Sequence, residues 1–206
     1  AVELLREAGA PAAALQLLPG DGPGVGAALT RDPRLAGVCF TGSTETARRI
    51  QRTLAENAGP EAVLIAETGG LNAMIVDSTA LTEQAVRDIV ISAFQSAGQR
   101  CSALRMLYVQ DEAKERLLTM LEGAMDALVI GDPWDPATDV SPLIDAEAAG
   151  DVAGGLDAEA AAGRVRKRLS APGAGHFVGP ALVERPEGIA ALERAVFGPV
   201  LHVASF

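Results

Sequence analysis

Short apolar runs along the chain alternate with stretches in which apolar residues recur every three or four positions, which predicts strands interleaved with helices. Val2, Leu4, Leu5 and Ala8 share a helical face that Gly9 and Pro11 stop. Leu15-Gln16-Leu17-Leu18 reads as a short strand closed by Pro19-Gly20-Asp21-Gly22, followed by a short helix over Gly24 to Thr30. Val38-Cys39-Phe40 is an apolar strand core between Gly37 and Gly42, which makes Cys39 a buried apolar filler. Ser43 then opens a helix with Ala47, Ile50 and Leu54 at helical spacing. Val63-Leu64-Ile65-Ala66 and Ala73-Met74-Ile75-Val76 are the next strands. A helix over Thr82 to Ala97 is ended by Gly98, Met106-Leu107-Tyr108-Val109 is a strand, and Glu112 to about Leu128 is an amphipathic helix. Ala146 to Gly163 reads as a weak helix, because Gly150, Gly154 and Gly155 each cost about 1 kcal/mol in a helix interior. Strands near Phe177-Val178 and Val200-Leu201-His202-Val203 finish the chain.

This alternation predicts an α/β fold with mostly parallel sheets covered on both faces. Gly69-Gly70 separates two strands, so a domain boundary is expected near residues 70 to 72, giving parts 1–70 and 71–206. Ala1 to Arg6 reads as mid-helix and Leu201 to Phe206 as mid-strand, so the chain is read as a piece of a longer protein.

Composition narrows the function classes. Hydrophobic residues make up 49% and charged residues 21%, as in a globular chain. A formal net charge of −10 argues against nucleic acid and anionic membrane surfaces as partners of this segment. No apolar run reaches the roughly 18 residues that span a bilayer. Two cysteines, Cys39 and Cys101, make no disulfide framework, and no metal-ligand spacing occurs, so a reducing cytoplasm is the expected location.

Three segments carry candidate chemistry. In Phe40-Thr41-Gly42-Ser43-Thr44 a strand ends in a glycine turn and a hydroxyl residue opens a helix; the junction is either an ordinary N-cap or an anion site. In Glu67-Thr68-Gly69-Gly70 a carboxylate ends a strand, where it is either a solvated charge or a group at the ligand-binding edge of an α/β sheet. In Gly98-Gln99-Arg100-Cys101-Ser102 a cysteine follows a helix end among polar neighbours that do not mark an apolar site. The negative end of the helix opposes a thiolate there, so activation must come from Arg100, backbone donors, a bound cofactor or Glu67.

Together these segments resemble the aldehyde dehydrogenase superfamily. The turn at Thr41-Gly42-Ser43 is similar to its cofactor-phosphate turn, Glu67-Thr68-Gly69-Gly70 to its general-base motif, and Gly98-Gln99-Arg100-Cys101 to its nucleophile motif. From position 67 to position 101 the interval is 34 residues, in line with the family. Phe197-Gly198-Pro199-Val200 is similar to a signature that helps hold the cofactor ribose. Within the superfamily, Cys101-Ser102-Ala103-Leu104-Arg105 and the Gly70 to Ser78 and Phe197 to Val203 segments look most like the L-glutamate γ-semialdehyde (1-pyrroline-5-carboxylate) dehydrogenase part of bacterial bifunctional proline utilisation proteins.

The resemblance implies a three-layer αβα fold, part of an NAD-binding domain in 1–70 and part of a thiol domain in 71–206. It implies Cys101 as nucleophile, Glu67 as general base, NAD held by Thr41, Gly42, Ser43, Gly69 and Phe197, and Ser102 and Arg100 at the substrate. It also implies a small-molecule aldehyde substrate, a homo-oligomeric parent and a proline dehydrogenase domain upstream. The chain departs from the pattern at Ala195, where the family carries a glutamate that binds nicotinamide ribose hydroxyls; Glu193 is displaced by two positions. The family's oxyanion asparagine and adenosine-binding lysine are expected before Ala1. Rival readings are another semialdehyde dehydrogenase, such as a succinate-semialdehyde type, a cysteine hydrolase using His176 or His202, and a fragment without activity of its own. His202 sits in an apolar strand pattern and His176 in a Gly-rich loop, which reads as one structural and one solvated histidine.

Overall fold

The computed structural model describes residues 1–192 and 195–206. They form two compact units, Ala1–Thr68 and Gly69–Phe206.

The first unit contains a parallel two-stranded sheet, β1 (Gly37–Gly42) and β2 (Val63–Thr68). Before it come α1 (Val2–Glu7), a π-turn over Gly22–Gly26 and α2 (Ala27–Thr30). Between the strands runs α3 (Thr44–Asn57), which buries Ala47 and Leu54 and packs on both of them. Strand residues alternate in facing, so the paired Val38 and Leu64 share one face and Cys39 and Ile65 the other. Val38 and Leu64 are half-buried, whereas Cys39, Val63 and Ile65 are exposed. The expectation of a buried Cys39 is therefore wrong: its strand is apolar, but nothing among the described residues of this unit covers the face it occupies. The expected strand at Leu15 to Leu18 does not form either. Those residues have no ladder partner, and Leu17 and Leu18 stay exposed, since an apolar run becomes a strand only by pairing.

The second unit is built on a five-stranded sheet of order β3-β4-β7-β6-β5. Its strands are β3 (Asn72–Val76), β4 (Leu104–Val109), β5 (Val165–Arg168), β6 (Ala181–Glu184) and β7 (Val200–Ser205). All pairings are parallel except β5 with β6. The central strands β4, β7 and β6 are buried almost throughout, as parallel strands covered on both faces must be. Helices α4 (Thr82–Phe94) and α5 (Asp111–Asp126) pack on each other, and α6 (Ala146–Ala161) adds Val152 and Leu156 to one core with Ile89, Phe94, Leu107, Leu118, Leu121 and Leu201.

Two elements differ from expectation. Phe177-Val178 is not a strand; Gly179 lies against the Leu169 backbone and Pro180 has no N–H to donate, so pairing with β7 starts at Ala181. A strand not expected from the sequence, β5, forms the sheet edge, since Arg164-Val165-Arg166-Lys167-Arg168 carries no apolar run. Its cations are met by acids on neighbouring elements: Arg166 by Glu122, Glu115 and Glu184, Lys167 by Asp126, and Arg168 by Asp157. Arg166 and Lys167 both reach α5 because a bulge between Val165 and Lys167 breaks the alternation. A charged, bulged edge also resists pairing with another chain.

Candidate active site

In the first unit, β1 ends at Thr41 and Gly42, and Ser43 caps α3. The Ser43 hydroxyl accepts from the Thr46 backbone N–H at 3.1 Å and donates to Thr46 Oγ1 at 2.9 Å. The ordinary-cap reading of Ser43 is thus what its side chain does, and it satisfies one of the N–H groups left open at the helix start. Gly42 has the Phe40 ring so close that an added Cβ would lie 2.4 Å from it. In the parallel register Thr41 sits opposite Glu67 and Gly42 opposite Thr68. Thr41, Gly42, Ser43 and Glu67 are all exposed, at the C-terminal ends of their strands.

In the second unit, Cys101 lies on a loop between α4 and β4. The helix stops at Phe94, three residues before the expected end, because Ser96 (φ 56°), Ala97 (φ 52°) and Gly98 (φ 65°) all adopt left-handed conformations. For Ser96 and Ala97 that costs roughly 1–2 kcal/mol each. The turn directs the chain away from the helix, and Arg100, Cys101 and Ser102 are exposed after it. Cys101 is a free thiol.

Side chains pin this loop by its carbonyls. Asn72 Nδ2, at the start of β3, donates to Cys101 O at 2.7 Å and to Ala103 O at 2.9 Å. Arg105, the second residue of β4, donates from Nη2 to Gly98 O at 2.6 Å and to Arg100 O at 3.0 Å. Its Nη1 donates to Gly198 O at 3.0 Å, and its guanidinium carbon lies 5.4 Å from the centre of the Phe197 ring. Gln99 ties the loop to a neighbouring segment, donating to Pro142 O and accepting from the Ile144 N–H. Arg100 Nε donates to Ser96 Oγ at 3.1 Å, which engages Arg100 inside the turn.

Gly69 and Phe197 come together: a Cβ added at Gly69 would lie 3.1 Å from the ring and 3.9 Å from Ala195 Cβ. Ala195, Val196 and Phe197 line a cavity of about 150 Å³ with Ala148, Asp151 and Val152 of α6. Glu193 lies outside the described residues.

Neither histidine is placed as a partner for the thiol. His202 is buried in β7 with Nδ1 3.2 Å from Arg105 O, and His176 is an exposed loop residue. Burial pushes the His202 pKa below its ordinary value. Asn72 and Arg105 were not picked out as site residues from the sequence. A signal for Arg105 existed: a charge beside an apolar strand is rarely buried without partners.

The aldehyde dehydrogenase family model matches residues 1–206, and the chain belongs to that family. Among its relatives, the bifunctional protein PutA of Klebsiella aerogenes is 50% identical over 216 aligned residues, which cover 100% of this chain and 16% of that protein. N-succinylglutamate 5-semialdehyde dehydrogenase 1 of Caulobacter vibrioides is 38% identical, covering 98% of this chain and 43% of that protein. A crystal structure of bifunctional proline utilization A (PutA) superposes with a TM-score of 0.95 at 52% identity, covering 100% of this chain and 20% of that one. Betaine aldehyde dehydrogenase from Staphylococcus aureus, solved in complex with NAD+, superposes with a TM-score of 0.89 at 27% identity, covering 99% and 42%. The chain thus spans about a sixth of the length of the PutA relatives. The αβα aldehyde dehydrogenase fold expected from the sequence is the fold observed. Among the described residues, no helix is long and apolar enough to cross a membrane.

Proposed function

We propose that this chain is part of a cytoplasmic enzyme that oxidises L-glutamate γ-semialdehyde to L-glutamate with NAD. The observation that carries the reading is the exposed Cys101 thiol, on a loop whose backbone is held by Asn72 and Arg105, in a chain of the aldehyde dehydrogenase family.

Residues 1–70 are read as part of the cofactor domain and 71–206 as part of the thiol domain. Two places suit the dinucleotide. The Gly42–Ser43 turn presents a side-chain-free backbone at the start of the 14-residue α3, which favours phosphate. The Phe197 ring, which a Cβ on Gly69 would approach to 3.1 Å, offers an apolar face to the nicotinamide end. Thr41 and Gly69 complete the set.

In the proposed reaction the Cys101 thiolate adds to the aldehyde carbon, forming a C–S bond and an alkoxide. The Cys101 backbone N–H is the candidate donor to that oxygen. The bound cofactor supplies the acceptor for the hydride, so the carbon is oxidised to a thioester on Cys101. Glu67 takes a proton from water, the water oxygen adds to the thioester carbon, and the C–S bond breaks to release glutamate and the thiol. Ser102 and Arg100, exposed beside Cys101, serve the substrate carboxylate. The complete protein is read as a homo-oligomer that carries a proline dehydrogenase domain upstream of this part.

The test uses the complete protein with glutamate semialdehyde, succinate semialdehyde and NAD. Cys101→Ala should abolish nicotinamide reduction, and Glu67→Gln should give one rapid turnover and then stall with the acyl group on Cys101. Full turnover by Cys101→Ala would sink the mechanism. A preference for succinate semialdehyde would replace the substrate and keep the mechanism.

A further inference from the structure

Arg105 is the one buried cation among the described residues. Among those residues Arg105 forms no ion pair, and burial pulls its pKa down to about 10, so it stays charged at neutral pH. Three backbone carbonyls and one aromatic ring meet the charge, and among the described residues Nε has no hydrogen-bond partner. A buried charge without a counter-ion is costly, and apolar side chains of similar size are often more stable in such a place. Core packing alone therefore does not account for an arginine here.

Its contacts do account for it. Gly98 O and Arg100 O belong to the loop that carries Cys101, and Gly198 O belongs to the segment that carries Phe197. The two segments touch, since a Cβ on Gly98 would lie 2.2 Å from Gly198 O. Carbonyl oxygens converging from two segments repel one another, and a cation between them reverses that sign. The planar fork reaches one segment with Nη1 and the other with Nη2, while the ring of Phe197 lies over the same group.

We propose that Arg105 is a positioning residue that locks the Cys101 loop and the Phe197–Gly198 segment into one body. The nucleophile and the aromatic face then keep a fixed relation through turnover. Its catalytic consequence rests on the reading of Cys101 as nucleophile; its mechanical part does not.

Hydrogen–deuterium exchange and thiol alkylation on the complete protein, read over the residues of this chain, test both parts, with Arg105→Met, Arg105→Lys and Phe197→Leu. In Arg105→Met, amide exchange over residues 96–102 and 196–199 should rise together by about tenfold or more, while residues 106–109 of β4 keep their protection. Lysine keeps the charge and loses the fork, so Arg105→Lys should restore one segment more than the other. Phe197→Leu should raise exchange at 98–100 by about threefold or more, although the change lies in the other segment. The iodoacetamide rate of Cys101, referred to Cys39 in the same chain, should shift by about threefold or more in Arg105→Met. In Arg105→Met, exchange that rises in one segment only, or evenly through the second unit, would overturn the clamp. If Arg105→Met does not fold, the other two variants decide, and unchanged exchange in both overturns it. Coupled exchange with an unchanged alkylation ratio overturns the catalytic end, a result distinct from loss of the Cys101→Ala phenotype in the complete enzyme.

Discussion

Gly98 shows how closely the Cys101 loop is built. It combines a left-handed backbone with a backbone neighbour, the Gly198 carbonyl, where a methyl group would stand. Gly98→Ala meets left-handed strain of about 1–2 kcal/mol and an overpacking cost of about 1–3 kcal/mol. We expect a loss of about 2–5 kcal/mol in urea unfolding followed by circular dichroism. A loss below about 1 kcal/mol would mean that the two segments do not touch in solution. His202 gives a pH prediction. Burial lowers its pKa from 6.5, Arg185 and Arg105 add to the lowering, and the Arg105 carbonyl and Glu159 oppose it. The unfolded chain therefore binds the proton first. The neutral buried histidine favours the fold fully above 6.5, and this contribution is lost as pH falls below 6.5 towards the folded value. The lowered carboxylates Glu115 and Glu159 start from 4.5 and add their losses only below that. Thermal midpoints between about pH 5 and 6.5 should fall with pH in this chain and fall less in His202→Gln; equal slopes would remove His202 as the cause. At this scale the exposure of Cys101 and Glu67 was legible, because polar residues flank the first and a strand end carries the second. The exposure of Cys39 was not, since a strand's pattern does not say whether anything covers its second face.

Most elements were legible because their periods are clean. α3, α5, β4 and β7 lie where apolar spacing puts them, within the shifts expected at element ends, whereas β6 forms past the expected Phe177-Val178. The early stop of α4 was hidden, because Ser96 and Ala97 continue its small-residue spacing yet turn left-handed. β5 was hidden because its side chains are charged and their partners are distant in sequence. α6 forms in spite of its glycines, and the reason is packing: Val152 and Leu156 are buried while Gly154 and Gly155 face open space. Alanine at those two positions would meet nothing within 4 Å. Gly154→Ala and Gly155→Ala should each stabilise the second unit by about 1 kcal/mol, additively to within a few tenths. The check is the shift in urea midpoint of the single and double variants. No gain in the double variant would show that α6 is not helical at its middle.

At the scale of the whole molecule, the deciding position is Ala195. The chain covers about a sixth of its PutA relatives, so the prediction belongs to the complete protein. The resemblance puts a glutamate here that accepts hydrogen bonds from ribose hydroxyls, and alanine cannot accept them. The space for one exists: Ala195, Val196 and Phe197 border a cavity of about 150 Å³ shared with α6. Charge-assisted hydrogen bonds are worth about 1.5–3 kcal/mol, and about 1.4 kcal/mol is a factor of ten. Ala195→Glu should therefore raise kcat/KM for the cofactor by about tenfold or more and tighten NAD binding measured by calorimetry in the same direction. Hydride transfer, read in a single turnover, should gain more than thioester hydrolysis, since ribose contacts orient nicotinamide in the first step and have no part in the second. If neither cofactor binding nor hydride transfer changes, another group already holds the ribose, and the Phe197 segment does not do what its resemblance implies.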